Sequence, residues 1–465
     1  MSCRASEKCQ QDCLRGTCAS SCDTTKECDQ GCSYAKCNAT CGSGVKNCTQ
    51  DCSYGDYCNF TCENDTENGL QYCSYPANCQ QTCNSKKCNQ VSSYSDKSQL
   101  TCNSEKCDQK CEYAGCIATC SSGVTNCTQE CSSGQFCNFT CHNEIEVCSQ
   151  HCSYPDNCQQ TCNSKKCNQV SSYSDNSQLK CNSEKCNQKC EYAGCIATCS
   201  SDVEECTQGC TFGNDCKLKC VAGMKNCSQT SSFSHKTQLT CNSKKCNQKC
   251  EYTRCIATCS SDVEECTQGC TFGNDCKLKC DAGMKNCSQK CSYSDNCQLT
   301  CNSKKCHQVC DYEGCIAICG PDVEECTQEC QHTKCISYCN AKKCVKKGSQ
   351  WVQGPNLTTT INPSTNQELN PTKIINPSTN QELNPTTTIN PNTNQEPNPT
   401  TIINPNTNQE LNPTTTINLR TNQTVTATKT TKNGTKSEAS CFGKRYGTLL
   451  FPFLVVFQTN SCIIF

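Results

Sequence analysis

Residues 290–301 read KCSYSDNCQLTC, and three earlier copies of this stretch lack both of its first two cysteines. Where the last copy has Cys291 and Cys297, the others have Ser92 and Ser98, Ser171 and Ser177, and Ser231 and Thr237. Partners that vanish together leave nothing unpaired, whereas a Cys-x3-Cys pairing would strand two thiols at each loss. This predicts bridges across the longer gap: Cys3 with Cys9, Cys13 with Cys18, and onward through Cys291–Cys297 and Cys301–Cys306 to Cys339–Cys344. A single loss copied by duplication is the competing account of the same pattern. The scheme leaves Cys62 unpaired, because its partner position holds Gly69 where the related stretch has Cys141 followed by Cys148. Cys62 then stays free, bridges Cys441, or bridges a second chain.

Of the 65 Cys, 63 lie in residues 1–344, far above the level at which a disulfide scaffold becomes the default reading. Setting Cys aside leaves only about a fifth of the chain apolar, too little for several ordinary cores. An intracellular globular enzyme is therefore disfavoured, and so many close thiols imply an oxidising compartment. Net charge is −1, so no overall basic field draws in nucleic acid.

The spacings alternate between a gap of four and a gap of five to seven, giving an elementary unit of about ten residues. Residues 171–230 reappear almost unchanged as 231–290, so a sixty-residue repeat contains six units. One bridge closing so short a loop stabilises by roughly 2 kcal/mol, against roughly 10–20 kcal/mol to order ten backbone residues. The difference must come from stacking, with the backbone of one unit hydrogen-bonded to the next. The expected fold is a disulfide-rich repeat protein, a narrow β-solenoid-like stack of about ten-residue coils with local bridges. In Cys-x3-Cys, residues i, i+2 and i+4 share a strand face, which turns two sulfurs and one side chain inward. Roughly 34 such coils at about 4.8 Å each would make a rod of roughly 160 Å.

In architecture this resembles the beetle antifreeze proteins, narrow disulfide-filled solenoids with Cys-x5-Cys pairs and Thr beside Cys. Cys291, Cys297 and Thr300, and the recurring LTC, ATC, QTC and FTC steps, carry the resemblance. The departures are a unit of ten residues instead of twelve and no regular Thr-x-Thr ladder. An ice-binding solenoid is accordingly a remote alternative.

Three regions follow: a Cys-rich rod (1–344), a Thr/Asn/Pro-rich stalk (345–436) and a C-terminal GPI-type signal or apolar anchor (437–465). The stalk holds 14-residue repeats registered by Ile361, Ile375, Ile389, Ile403 and Ile417, whose composition favours an extended, non-globular chain. In the last region small residues precede a polar spacer and an apolar end, the layout of a GPI-attachment signal. Ser437 is the first choice for attachment and Asn433 the second. N-glycan acceptors occur at Asn38, Asn47, Asn59, Asn64, Asn126, Asn138, Asn226, Asn286, Asn356, Asn422 and Asn433. The first residues show no apolar signal region, so the chain reads as lacking its true start.

No Cys-x2-Cys knuckle suggests a metal or redox centre, and the five His have no repeated acid or nucleophile beside them. No catalytic residue, metal or cofactor is expected. Basic CNSKKC loops (Lys244 and Lys245, for example) and acidic DVEEC loops (Glu264 and Glu265) predict alternating charged bands, or simply a well-solvated surface. In layout the chain resembles secreted Cys-rich matrix proteins of the coral skeletal type and, more weakly, GPI-anchored surface antigens of ciliates. The resemblance implies a structural protein of an extracellular matrix or cell coat. Its partners would be coat components, mineral or glycan surfaces, the membrane through a lipid anchor, and neighbouring rods, with no nucleic acid. A GPI-anchored adhesion or ligand-binding receptor is the alternative.

Overall fold

A computed structural model describes residues 2–353 apart from 5, 6, 193, 332, 333, 349 and 350, together with two antiparallel strands, Ala427–Thr430 and Lys436–Ala439. Within residues 2–353 the chain winds into a β-solenoid of about 17 turns of roughly 20 residues. Successive strands alternate between two parallel sheets. Glu27–Ser33, Asn47–Ser53 and Asn68–Ser74 stack in one, while Ala35–Cys41, Tyr57–Cys62 and Asn78–Cys83 stack in the other. Each strand pairs in register with the strand one coil away, as in Cys28↔Cys48 and Cys37↔Cys58.

The ten-residue unit is therefore half a coil, and the rod is about 80 Å long, half the length expected from the sequence. The reason lies in the inward face of each strand. Cys28, Gln30 and Cys32 point inward from one sheet, Cys37, Ala39 and Cys41 from the other, and each triplet needs the opposing one to exclude water. Two half-coils close a turn where one could not.

The bridges join the sheets at the two corners of each coil, Cys32–Cys37 at one and Cys41–Cys48 at the other. Among the described residues all are local, closing sequence separations of five to seven residues from Cys13–Cys18 to Cys339–Cys344, with Cys291–Cys297 and Cys301–Cys306 among them. Cys3 stands in register with Cys22, and its side chain lies outside the described residues. Where the two cysteines are absent, buried hydroxyls meet instead: Ser92 with Ser98 at 2.6 Å, Ser171 with Ser177 at 2.6 Å, and Ser231 with Thr237 at 2.7 Å. A hydroxyl satisfied by its opposite number can remain buried where a lone one could not, which explains why the cysteines disappear in pairs.

Between the two rows of bridges runs a buried column of glutamines, one per coil, from Gln11 to Gln328. Each donates its Nε2 to the Oε1 of the Gln one coil earlier, as from Gln30 to Gln11 at 3.0 Å, from Gln129 to Gln109 at 2.8 Å and from Gln328 to Gln308 at 2.9 Å. The second Nε2 hydrogen reaches a backbone carbonyl of the opposite sheet, as from Gln150 to Thr161 at 3.2 Å. Opposite the column sit Ala39, Phe60, Gln81, Leu100 and their counterparts, which vary in volume from coil to coil. Replacing Gln129 by Leu would leave the Oε1 of Gln109 and one Nε2 hydrogen of Gln150 unpaired. At about 1–3 kcal/mol for each stranded group, Gln129→Leu is expected to accelerate amide hydrogen exchange in the coils around residues 107–152 while distant coils keep wild-type protection.

Candidate functional site: an exposed aromatic corner

As the chain leaves the glutamine sheet it turns through a residue with positive φ, and in nearly every coil that residue is aromatic. Tyr34, Tyr54, Tyr75, Tyr94 and Tyr113 form a first run of stacked rings. A second run is Tyr154, Tyr173, Tyr192, Phe212, Phe233, Tyr252, Phe272 and Tyr293, followed by a tilted Tyr312. Stacked centroids lie 4.5–5.3 Å apart. The spacing is that of the strands, so the sheet places the rings. From Tyr34 to Phe272 the backbone N–H of each such residue bonds a carbonyl of the following coil, as from Tyr54 to Ser74 at 2.9 Å.

From Tyr34 to Tyr293 these residues adopt φ of 49–61°, a conformation that costs an L side chain roughly 1–2 kcal/mol and glycine almost nothing. A stacked aromatic pair returns only about 0.5–1.5 kcal/mol, so stacking roughly cancels the strain. Folding alone would be served as well by glycine, which occupies positive-φ positions at the opposite corner (Gly44, Gly123, Gly223 and Gly283). A row of exposed rings that gives no clear stability advantage marks this corner as the candidate functional surface. With ring faces taken up by neighbours, the row presents mainly edges and phenol hydroxyls. The Tyr-rich CSY steps are visible in the sequence, but their alignment is not, because ten-residue coils would have placed Tyr on alternate layers.

A second regular row lies on the outer face of the other sheet, where Thr40, Thr61, Thr82, Thr101, Thr119, Thr140 and Thr161 are in register over seven successive coils. It is a single column, interrupted later by Lys180 and Lys219. The charged loops form no separate bands. They fall on adjacent coils and pair within the rod, as in Lys185–Glu205 and Lys245–Glu265, both at 3.3 Å. Such exposed pairs add little stability.

Among the described residues the free cysteine is Cys62, buried in its corner. Its Sγ is 2.9 Å from Sγ of Cys48, and burial pushes its pKa up to about 12, so the thiol is an inert one. Stacked bridges bring other sulfurs close together, as at Cys120, Cys127 and Cys141, but bridged sulfur supplies no thiolate for a metal. Cys441 lies outside the described residues.

The acceptors Asn38, Asn47, Asn64, Asn126, Asn226 and Asn286 are exposed, while Asn59 and Asn138 are half-buried. Asn59 donates to the Oδ1 of Asn38 at 3.2 Å, on the adjacent rung of the sheet. Asn356, Asn422 and Asn433 lie outside the described residues. Ser437 falls in the strand Lys436–Ala439. No protein-family model, curated protein or solved structure matches the chain. The reading of this corner therefore stands on geometry alone.

Two outcomes are expected. Partial desolvation, with neighbouring phenols and Glu112 or Glu191 adding to it, raises the pKa of Tyr94 and Tyr173 above the ordinary value of 10.0. Folding thus favours their protonated form. Their contribution to stability is complete below pH about 10 and is lost as pH rises through the raised values. Absorbance titration near 295 nm should show phenols ionising later than in a free tyrosine amide, and the melting temperature should fall over the same interval. At the opposite corner, a Cβ on Gly69 would lie 3.2 Å from Sγ of Cys62, with Sγ of Cys83 and Oγ of Ser85 at 2.7 Å having to shift. In native wild-type protein Cys62 should resist alkylation until the chain is denatured, whereas Gly69→Cys should yield a peptide bridged between positions 62 and 69.

Proposed function

We propose that this chain is an extracellular structural protein of a matrix or cell coat. The observation that carries this reading is the paired rows of bridges flanking the glutamine column along the rod, from the first described coils to Cys339–Cys344. Most corners are covalently closed by a bridge, and each coil is hydrogen-bonded to its neighbours. Local opening then has little chain to release, and resistance to proteolysis and shear follows. So dense a set of bridges suits an oxidising extracellular environment. The Thr/Asn/Pro-rich stalk (345–436) would hold the rod away from the surface, and the segment 437–465 would direct lipid attachment at Ser437. Mineral or glycan surfaces and neighbouring rods are the contacts proposed for it.

A second reading, in which the rod recognises an ordered repetitive surface, is favoured by the two regular rows, aromatic and threonine. Ice belongs to that class, and thermal hysteresis of the purified rod would select it over the matrix role.

The primary reading is tested by expressing the full-length precursor on cells. Phosphatidylinositol-specific phospholipase C should release it from the surface, and the released rod should withstand trypsin for hours until a reductant is added. Retention after the lipase would remove the anchor from the proposal, and rapid digestion of the oxidised rod would remove the structural role.

A further inference from the structure

The aromatic row has one missing rung. Between Tyr113 and Tyr154 the corner residue is Ser133, which keeps the φ of its neighbours at 56° and the same bond to the next coil, from its N–H to the carbonyl of Ser153 at 2.8 Å. The backbone is thus unchanged and only the ring is absent. The flanking rings do not close over the gap. Tyr113 remains stacked on Tyr94 at 4.8 Å and 5°, and Tyr154 on Tyr173 at 4.6 Å and 6°. Tyr113 and Tyr154 are 55% and 57% exposed, against 46% and 45% for Tyr94 and Tyr173, as expected when each has one uncovered face. Phe136, an aromatic residue of the same coil, lies with Ile117, Asn138 and Gln159 on the outer face of the other sheet and makes no ring contact with Tyr113 or Tyr154.

Two strand spacings, about 9.6 Å, separate the levels of Tyr113 and Tyr154. A planar ring placed midway would lie about 4.8 Å from each, at the ladder's own spacing and within the range of favourable offset stacking. We propose that the gap over Ser133 is a binding slot for one flat aromatic ring carried by a small molecule of the phenol or naphthol class. The two tyrosine faces would sandwich the ring, and the half-buried Ser133 would form the floor. Apart from the outer face of Tyr34 at the start of the row and the tilted Tyr312 at its end, the faces elsewhere are already covered, so the slot, open between two rings, is distinct from the ring edges that the corner otherwise presents. A planar cation is the less suitable occupant. The nearest carboxylate on the Tyr113 strand, Glu112, is already engaged by Lys110 at 2.6 Å and by Ser93 at 3.3 Å.

The probe is 2-naphthol, followed by fluorescence anisotropy against the full chain. Saturable binding at one site per chain is expected, and Ser133→Tyr, which restores the missing ring, should weaken it at least tenfold. Tyr192→Ser opens an equivalent gap between Tyr173 and Phe212 and should raise the stoichiometry from one to two. Circular dichroism of both variants should match wild type, since each places at the corner a residue that other coils already hold there. The proposal is overturned by any of four results: no binding up to the solubility limit of the probe, undiminished binding to Ser133→Tyr, an unchanged stoichiometry in Tyr192→Ser, or methylguanidinium occupying the site in preference to naphthol.

Discussion

The structure depends on one repeated contact, the hydrogen bond from one buried glutamine amide to the next. A side-chain amide in a dry interior is costly unless both its donors and its acceptor are used. In the described solenoid the donors of Gln129 are met by Gln109 and by the carbonyl of Thr140, and its acceptor by Gln150. That arrangement is possible only if each coil lies directly above the last, in the same register. A slip of one residue would turn the glutamines and the sulfurs outward together. The column therefore acts on specificity as much as on stability. It tolerates changes in the residues facing it, from Ala39 to Phe60 to Leu100, while prohibiting changes in alignment.

Everything on the surface inherits this alignment. The corner tyrosines stack because the strands stack, the threonines fall in a column for the same reason, and lysine and glutamate meet one coil apart. None of these rows needs its own means of assembly. The same inheritance makes the loss of a side chain local. Exchanging a tyrosine for Ser133, or a bridge for the pair Ser92 and Ser98, leaves the backbone of the coil in place.

Much of this was legible in the sequence because the cysteines were informative by their absence. The joint loss at positions 92 and 98, 171 and 177, and 231 and 237 pointed to local bridges, and local bridges pointed to a stacked solenoid. The length of a coil was not legible. A ten-residue spacing fixes the distance between successive strands along the chain but does not say whether the next strand lies above the last or across from it. That ambiguity hides the candidate surface. Gln30 and Gln50 sit at the centre of alternate Cys-x3-Cys segments, and Gln71 holds the same place where Gly69 replaces the first cysteine, the mark of two sheets with different interiors, and only in that frame do Tyr34, Tyr54 and Tyr75 fall on one line. Cys62 was identifiable as the odd thiol, but its burial beside Cys48 depended on the coil.

The glutamine column also has a direction. In every one of its bonds the amide nitrogen belongs to the later coil and the oxygen to the earlier, from Gln30 and Gln11 to Gln328 and Gln308. Amide dipoles aligned head to tail add, as they do along a helix, and leave a partial positive charge at the donor end and a partial negative charge at the acceptor end. Here the first coils form the positive pole and the last coils the negative one. The coil that follows Gln328 places Lys346 in the column's register, while Lys343 and Lys347 on the same strand are paired with Glu325 and Glu329. The column is thus electrically polar, with unlike ends.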